Sequence, residues 1–263
     1  LSRTGGLPCQ IIMGRIVLSE QRGLASRSDA IENAATGARE TLCIQSNSGQ
    51  SVIRYELTTK SEHLTLDFVG QGELTLRREP RGDGHFAAVT FVQPLSSKLR
   101  LEVIDGEQRR EFSAPSLWHL LLMEPKACQE HLLPLLEHLK TDWQLAARAD
   151  AIDNALQLAA AAGGPPDQSL IAALVEDFAA DQFAVRQAAD RKLRGLGLAV
   201  LPQLSQLDMT KLDAEQRHRI AEVRRDLLAN TPDTPERVAL WLIGDLELLK
   251  RLAANKPALT RSN

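Results

Sequence analysis

The apolar residues of this chain change their period once, close to Pro115, and that change constrains the fold more than any motif does. Between Thr41 and Phe112 apolar and polar residues alternate. Ile53, Tyr55 and Leu57 fall on one face, with Arg54 and Glu56 on the other. Leu64, Leu66 and Phe68 alternate with Thr65 and Asp67, and Leu74 and Leu76 with Thr75 and Arg77. Leu99, Leu101 and Val103 alternate with Arg100 and Glu102. Successive strand side chains point to opposite faces, so a period of two requires a sheet with one buried and one wet face.

The breaks between these runs carry turn chemistry: Asn47-Ser48-Gly49-Gln50, Gly70-Gln71-Gly72, Arg81-Gly82-Asp83-Gly84 and Asp105-Gly106. Asp-Gly between alternating runs is a strong hairpin signal because both turn residues need φ > 0. Tight turns pair neighbours in sequence, so the pattern predicts an antiparallel meander or small sandwich of about six or seven strands. Ahead of it the reading is weaker. Ile11 to Leu18 reads as one strand, and the polar, Ala- and Gly-rich stretch from Ser19 to Arg39 reads as loop.

Past Ser113-Ala114-Pro115 the spacing becomes helical. Ser116 is placed to cap a helix from Leu117, and Pro125 and Pro134 divide or kink this first helical stretch. Thr141 or Asp142 opens a helix to about Ala162, which Gly163-Gly164-Pro165-Pro166 stops. Asp167 opens the next, Gln182–Arg194 comes after it, and Gly195 and Gly197 close it. Asp213, Thr234-Pro235 and Asp245 open three more. The fold class is therefore α+β with two domains: an antiparallel β domain over 1–114, with 1–40 weakly patterned, and an all-α domain over 115–263. At 263 residues there is chain enough for both, since domains commonly run to about 100–150 residues.

The helical half carries a resemblance. Leu174, Asp181, Val185, Arg186, Ala188, Ala189, Leu193, Leu196, Gly197, Leu201, Pro202 and Leu204 match the pattern of a HEAT-like repeat over 170–207. The resemblance implies two antiparallel helices, with Asp181 at the turn between them and Arg186 one turn on, joined in a hydrogen-bond ladder. Asp213, Arg219, Ile220, Val223 and Leu227 look like a partial second unit, and 234–254 like a third. It implies an array of stacked helices from about residue 167, a construction that serves protein–protein recognition. The residues alone demand the same packing: Leu170, Leu174 and Phe178 share one face, Val185, Ala189 and Leu193 another. Amphipathic helices of this length bury their stripes against neighbours. The β half resembles no family.

A net charge of -3 is too balanced for the electrostatic footprint of a nucleic-acid binder. The basic cluster Arg217, His218, Arg219, Arg224 and Arg225 is interleaved with Glu215, Glu222 and Asp226, which reads as a solvated face of ion pairs. No run approaches the ~20 apolar residues of a membrane span. The chain begins at Leu1, so something is expected to have been removed before it; a lost signal peptide would put the protein outside the cytoplasm.

No GxSxG, HExxH, P-loop or GxGxxG motif occurs, so neither an enzyme nor a cofactor is expected. Cys128, His131 and His138 sit at spacings that share a helix face and are weak metal candidates, with two prolines interrupting the helix that would align them. Cys9 and Cys43 could pair in an oxidising compartment; the simpler reading is three buried, reduced thiols. Arg81-Gly82-Asp83 is an adhesion-type tripeptide that also suits a hairpin loop. Trp118, Trp143 and Trp241, all on helical stretches, read as packing residues. The resulting expectation is a non-catalytic scaffold that binds another protein through a helical surface. The alternative is a ligand-binding or sensory β domain with the helices as relay, which requires an apolar pocket between the sheet and the helices over 117–139.

Overall fold

The computed structural model describes residues 9–18, 26–47, 50–70, 72–137, 140–228 and 231–255. It is an α+β structure in which eight strands form one antiparallel sheet in unbroken chain order. They are β3 (Arg27–Asn33), β4 (Ala38–Asn47), β5 (Gln50–Thr58), β6 (Glu62–Val69), β7 (Glu73–Pro80), β8 (Ala88–Gln93), β9 (Leu99–Asp105) and β10 (Gln108–Ala114). The architecture is a meander, not a sandwich.

Register places the alternating residues in rows. Leu42, Tyr55, Leu66, Leu76, Phe91 and Leu101 stand directly opposite one another across β4 to β9, and all are buried. On the other face Thr41, Glu56, Thr65, Arg77, Thr90 and Glu102 form the matching polar row. Cross-strand ion pairs knit that face, Arg54 with Asp67 at 2.7 Å and Arg109 with Glu102 at 2.6 Å. Each large apolar side chain taken out of water contributes about 1.5–3 kcal/mol, so a one-residue slip in register would forfeit a whole row.

Two segments depart from the pattern expected of the sequence. Ile11 to Leu18 is not one strand; β1 (Cys9–Ile12) and β2 (Arg15–Leu18) form a separate hairpin. Its turn residues Met13 and Gly14 have φ of 50° and 66°, the double positive values of a type I′ turn. Met13 is a poor advertisement for such a turn. Within the stretch expected to be loop, Arg27–Asn33 is β3, a fully paired edge strand. It is illegible in the sequence because neither face is buried, so no alternation marks it; its Asp29 and Glu32 suit an edge that must not recruit further strands. Residues 19–25 lie outside the described residues.

The β1–β2 hairpin is tied on by side chains. Gln93, at the end of the inward row Ile44, Ile53, Phe68 and Leu74, is fully buried. Its Oε1 accepts from the Ile16 N–H at 2.9 Å, and its Nε2 donates to the carbonyls of Ile16 at 2.7 Å and Gly72 at 2.6 Å. One carboxamide thus grips both polar groups of a single strand residue. Gly14 is required twice over: by its φ, and because a Cβ there would lie 2.6 Å from Ser116.

The helices begin where the alternation ends. Ser116 caps α1 (Leu117–Met123), and Pro125 opens a short α2 (Pro125–Ala127). A π turn over Cys128–Leu132 then leads into α3 (Leu133–Glu137). Pro134 has no N–H and its ring would strike the carbonyl four residues back; the wider turn, closed by the Leu133 N–H on the Cys128 carbonyl, relieves both. α1 packs beside β10 and the π turn against β8, so the dry face of the sheet is covered from within this segment. Compact units accordingly divide after Ala147, giving Leu1–Ala147 and Arg148–Asn263, later than the change of period at Pro115.

α4 (Leu145–Ala162) leads into α5 (Gln168–Asp177), α6 (Phe183–Gly195), α7 (Leu201–Gln206), α8 (Ala214–Leu227), α9 (Pro235–Leu242) and α10 (Leu246–Asn255). The caps fall at Asp167, Asp213, Thr234 and Asp245, with a full capping box between Asp213 and Gln216. Ile171, Leu174, Val175, Phe178, Ala189, Leu193, Ile220 and Val223 share one core. The stripe on α5 starts at Ile171 rather than Leu170, which is exposed.

Replacing Gln93 by Ala strands three buried backbone groups. Q93A is expected to cost about 3 kcal/mol, read as a lower urea midpoint for the transition reported by buried Trp118.

Candidate interaction surface

In the second unit the sequence most clearly marks the turn between α5 and α6. Arg186 Nη1 donates to the carbonyls of Ala180 at 2.7 Å and Asp181 at 2.9 Å, closing that turn on itself. The expected pairing of Asp181 with Arg186 therefore runs through the Asp181 backbone and not its carboxylate. The same guanidinium lies 3.7 Å from Glu215 on α8 and 5.8 Å from the Phe183 ring centroid.

Two further contacts fasten α8 to its neighbours. Arg194 on α6 bonds Asp190 at 2.7 Å and reaches Asp226 on α8. Gln216 Nε2 donates to the Val175 carbonyl at 3.0 Å. Within α8, Arg219 bonds Glu215 at 2.6 Å and His218 lies 3.5 Å from Glu222, so the acids within the basic cluster have side-chain partners. Against this fastened background Phe183, the first residue of α6, is 61% exposed. Sequence periodicity does not single it out, because it stands outside the buried stripe. Leu158, Leu170 and Leu240 are also exposed. Gln168, Gln203, Gln206, Gly244, Leu246, Glu247 and Lys250 line a polar recess of about 130 Å³.

In the first unit the apolar side chains that β4 to β9 turn inward are closed from solvent. A recess of about 280 Å³ lies at the far end of the helices, lined by Leu133, Glu137, Lys140, Trp143 and residues 144–147. Another, of about 310 Å³, opens on the wet face of the sheet between Arg39, Thr41, Glu56, Thr58 and Arg81. Arg81 belongs to the adhesion-type tripeptide. Its loop does not project: the Arg81 N–H donates to the Ser61 carbonyl at 2.9 Å, and a Cβ on Gly82 would lie 2.6 Å from the Lys60 carbonyl.

The metal candidates look toward different neighbours. Cys128 is buried with its thiol 3.5 Å from the Leu120 carbonyl, whereas His131 Nε2 lies 3.2 Å from Arg110 Nη2 on β10. His138 lies outside the described residues. Among the described residues no three His, Cys, Asp or Glu side chains gather as metal ligands would. Ser116 Oγ and His119 Nδ1 are 2.7 Å apart, the separation of a nucleophile and its base, yet both are buried and Ser116 is occupied as the cap of α1. Trp118 and Trp143 are buried and Trp241 is half-buried.

All three cysteines are free. Cys9, on β1, and Cys128 are buried and their thiols are pushed up to about 12 by desolvation. Cys43 is half-buried on the wet face, opposite Arg54. None of the helices in the described residues is long and apolar enough to cross a membrane. No protein-family model matches the chain, and no curated protein or solved structure is significantly similar to it.

This geometry sets two expected outcomes. R186A is expected to lower the stability of the helical unit by about 1.5–3 kcal/mol, while D181A changes it by less than about 0.5 kcal/mol, measured by thermal unfolding monitored by far-UV circular dichroism. A thiol with a pKa near 12 is ionised to only about one part in 10⁴ at pH 8. Alkylation of the native protein at that pH should thus label Cys43 alone, and the other two only after unfolding.

Proposed function

We propose that the protein is a non-catalytic interaction or scaffold protein that binds another protein through its helical unit, built as a HEAT-like array. The single observation that carries this reading is Phe183, a large aromatic side chain left in water at the head of a helix. Exposed aromatics on a firm support are what interfaces use as anchors, since burying one yields much area for little lost side-chain freedom. The support here is firm because α5, α6 and α8 are joined by Arg186, Arg194 and Gln216. The HEAT-like part of the reading draws its support from the helical pair α5–α6 and the turn that Arg186 holds between them.

Two features support this reading over its rivals. The inward apolar side chains of β4 to β9 are buried, which weighs against a small-molecule site beneath the helices. The pair Ser116 and His119, spaced like a nucleophile and base, is buried.

A benzophenone photo-crosslinking residue placed at position 183, and in a second version at Arg77 on the wet face of the sheet, tests the reading in the native cell. The expected result is a discrete adduct with another protein from position 183. Adducts from position 77 alone would move recognition to the sheet and end the proposal.

A further inference from the structure

The described residues include three buried glutamines, and two of them are fully employed. Gln93 grips Ile16 and Gly72. Gln216 accepts from the Asp213 N–H at 2.9 Å and donates to the Val175 carbonyl at 3.0 Å. Gln203 is different. It is only 9% exposed, and neither its Oε1 nor its Nε2 has a hydrogen-bond partner among the described residues. A buried amide left unpaired is costly, and protein interiors pair nearly all of them. Pro202 and Leu204, on either side of it, are buried in the ordinary way. Gln203 is one of the residues lining the polar recess of about 130 Å³.

We propose that Gln203 is a clamp for one residue of an extended polypeptide belonging to a partner protein. In an extended chain the N–H and C=O of one residue point to the same side. A carboxamide offers one acceptor and one donor on a single planar group, so it matches that pair. The geometry is already used in this molecule, where Gln93 holds the N–H and C=O of Ile16 on strand β2. Gln203 carries the same donor and acceptor with no residue to hold, closed from solvent until the side chains around the recess move. The recess has room for about four waters at roughly 30 Å³ each, or for one small peptide residue in their place.

The surroundings fit a neutral, hydrogen-bonding occupant. Gln206 lies one turn further along α7, and Gln168 opens α5, so two more carboxamides flank the clamp. The N-termini of α5 and α10 are already capped by Asp167 and Asp245, which removes the pull on an anion. Glu247 and Lys250, paired at 2.7 Å and exposed, are long side chains whose rotamers exchange quickly and admit a chain to the buried amide. This inference rests on the proposed interaction function and names the chemistry of the partner: main chain, in extended form, with a small side chain at the clamped residue.

The test is a titration of the full-length, ¹⁵N-labelled protein with acetyl-Ala-Gly-Ala-N-methylamide, reading the side-chain amide signals of Gln203. Those signals are assigned by their loss in Q203L. A second titration uses the ester analogue with glycolic acid in place of glycine, which lacks the central N–H. The expected result is a saturating shift at Gln203 with the peptide and binding weaker by on the order of tenfold with the ester. Absence of a saturating shift, or equal binding of peptide and ester, overturns the clamp. Q203L should unfold no earlier than the parent, because it removes an amide that has no partner; a fall in Tm would show that amide paired within the protein and would also overturn it. A clamp that fails while position 183 still yields its adduct fails by itself, leaving the interaction reading intact.

Discussion

An open sheet with one largely apolar face cannot stand in water, and much of the first unit answers to that constraint. β4 to β9 alternate strictly enough that their inward apolar rows are shut from solvent. Something must cover them. The segment after Pro115 does so with helices short enough to track a single face, broken at Pro125 and eased by the π turn ahead of Pro134. The hairpin β1–β2 is held to the same unit, not by strand pairing to the large sheet but through Gln93 and through Gly14 beneath Ser116. This is why compactness divides the chain after Ala147 while secondary structure changes some thirty residues earlier.

Buried carboxamides run through both units and show how one chemical group takes on different work. Gln93 replaces a missing strand neighbour, and Gln216 combines a capping box with a bond to a neighbouring helix. In each case the amide is sealed among apolar side chains and both ends are satisfied, so its desolvation is offset. Gln203 carries the same desolvation without that return, and the unevenness is what gives it meaning.

The helical unit gains rigidity from arginines more than from any repeat consensus. Arg186 locks the α5–α6 turn onto backbone carbonyls, and Arg194 spans α6 and α8. Planar, multidentate guanidinium groups suit both tasks. The conspicuous Asp181 contributes a carbonyl that any residue would have supplied, whereas Glu215, less conspicuous in sequence, takes contacts from both Arg186 and Arg219.

Alternation over 53–103, the Asp-Gly turn, the caps at Ser116, Asp167, Asp213 and Thr234, and the switch to helical spacing were legible in the residues, because each is a local rule acting within a few positions. At the β9–β10 turn even the local rule needed adjustment: only Gly106, and not both central residues, has positive φ. β3 left no trace in the pattern because an exposed edge strand has no dry side to mark. The seat of Gly14 beneath Ser116 and the grip of Gln93 on Ile16, 77 residues away, come from contacts between distant segments. The same holds for Gln203 and Phe183: a glutamine is polar and a phenylalanine apolar in any sequence. Whether the amide is sealed without a partner, or the ring left in water, depends on which neighbours the chain brings back to it. Local order here was written in periodicity and capping, and the identity of the unmet groups was settled by long-range packing, since burial is a property of the assembled neighbours and not of the residue.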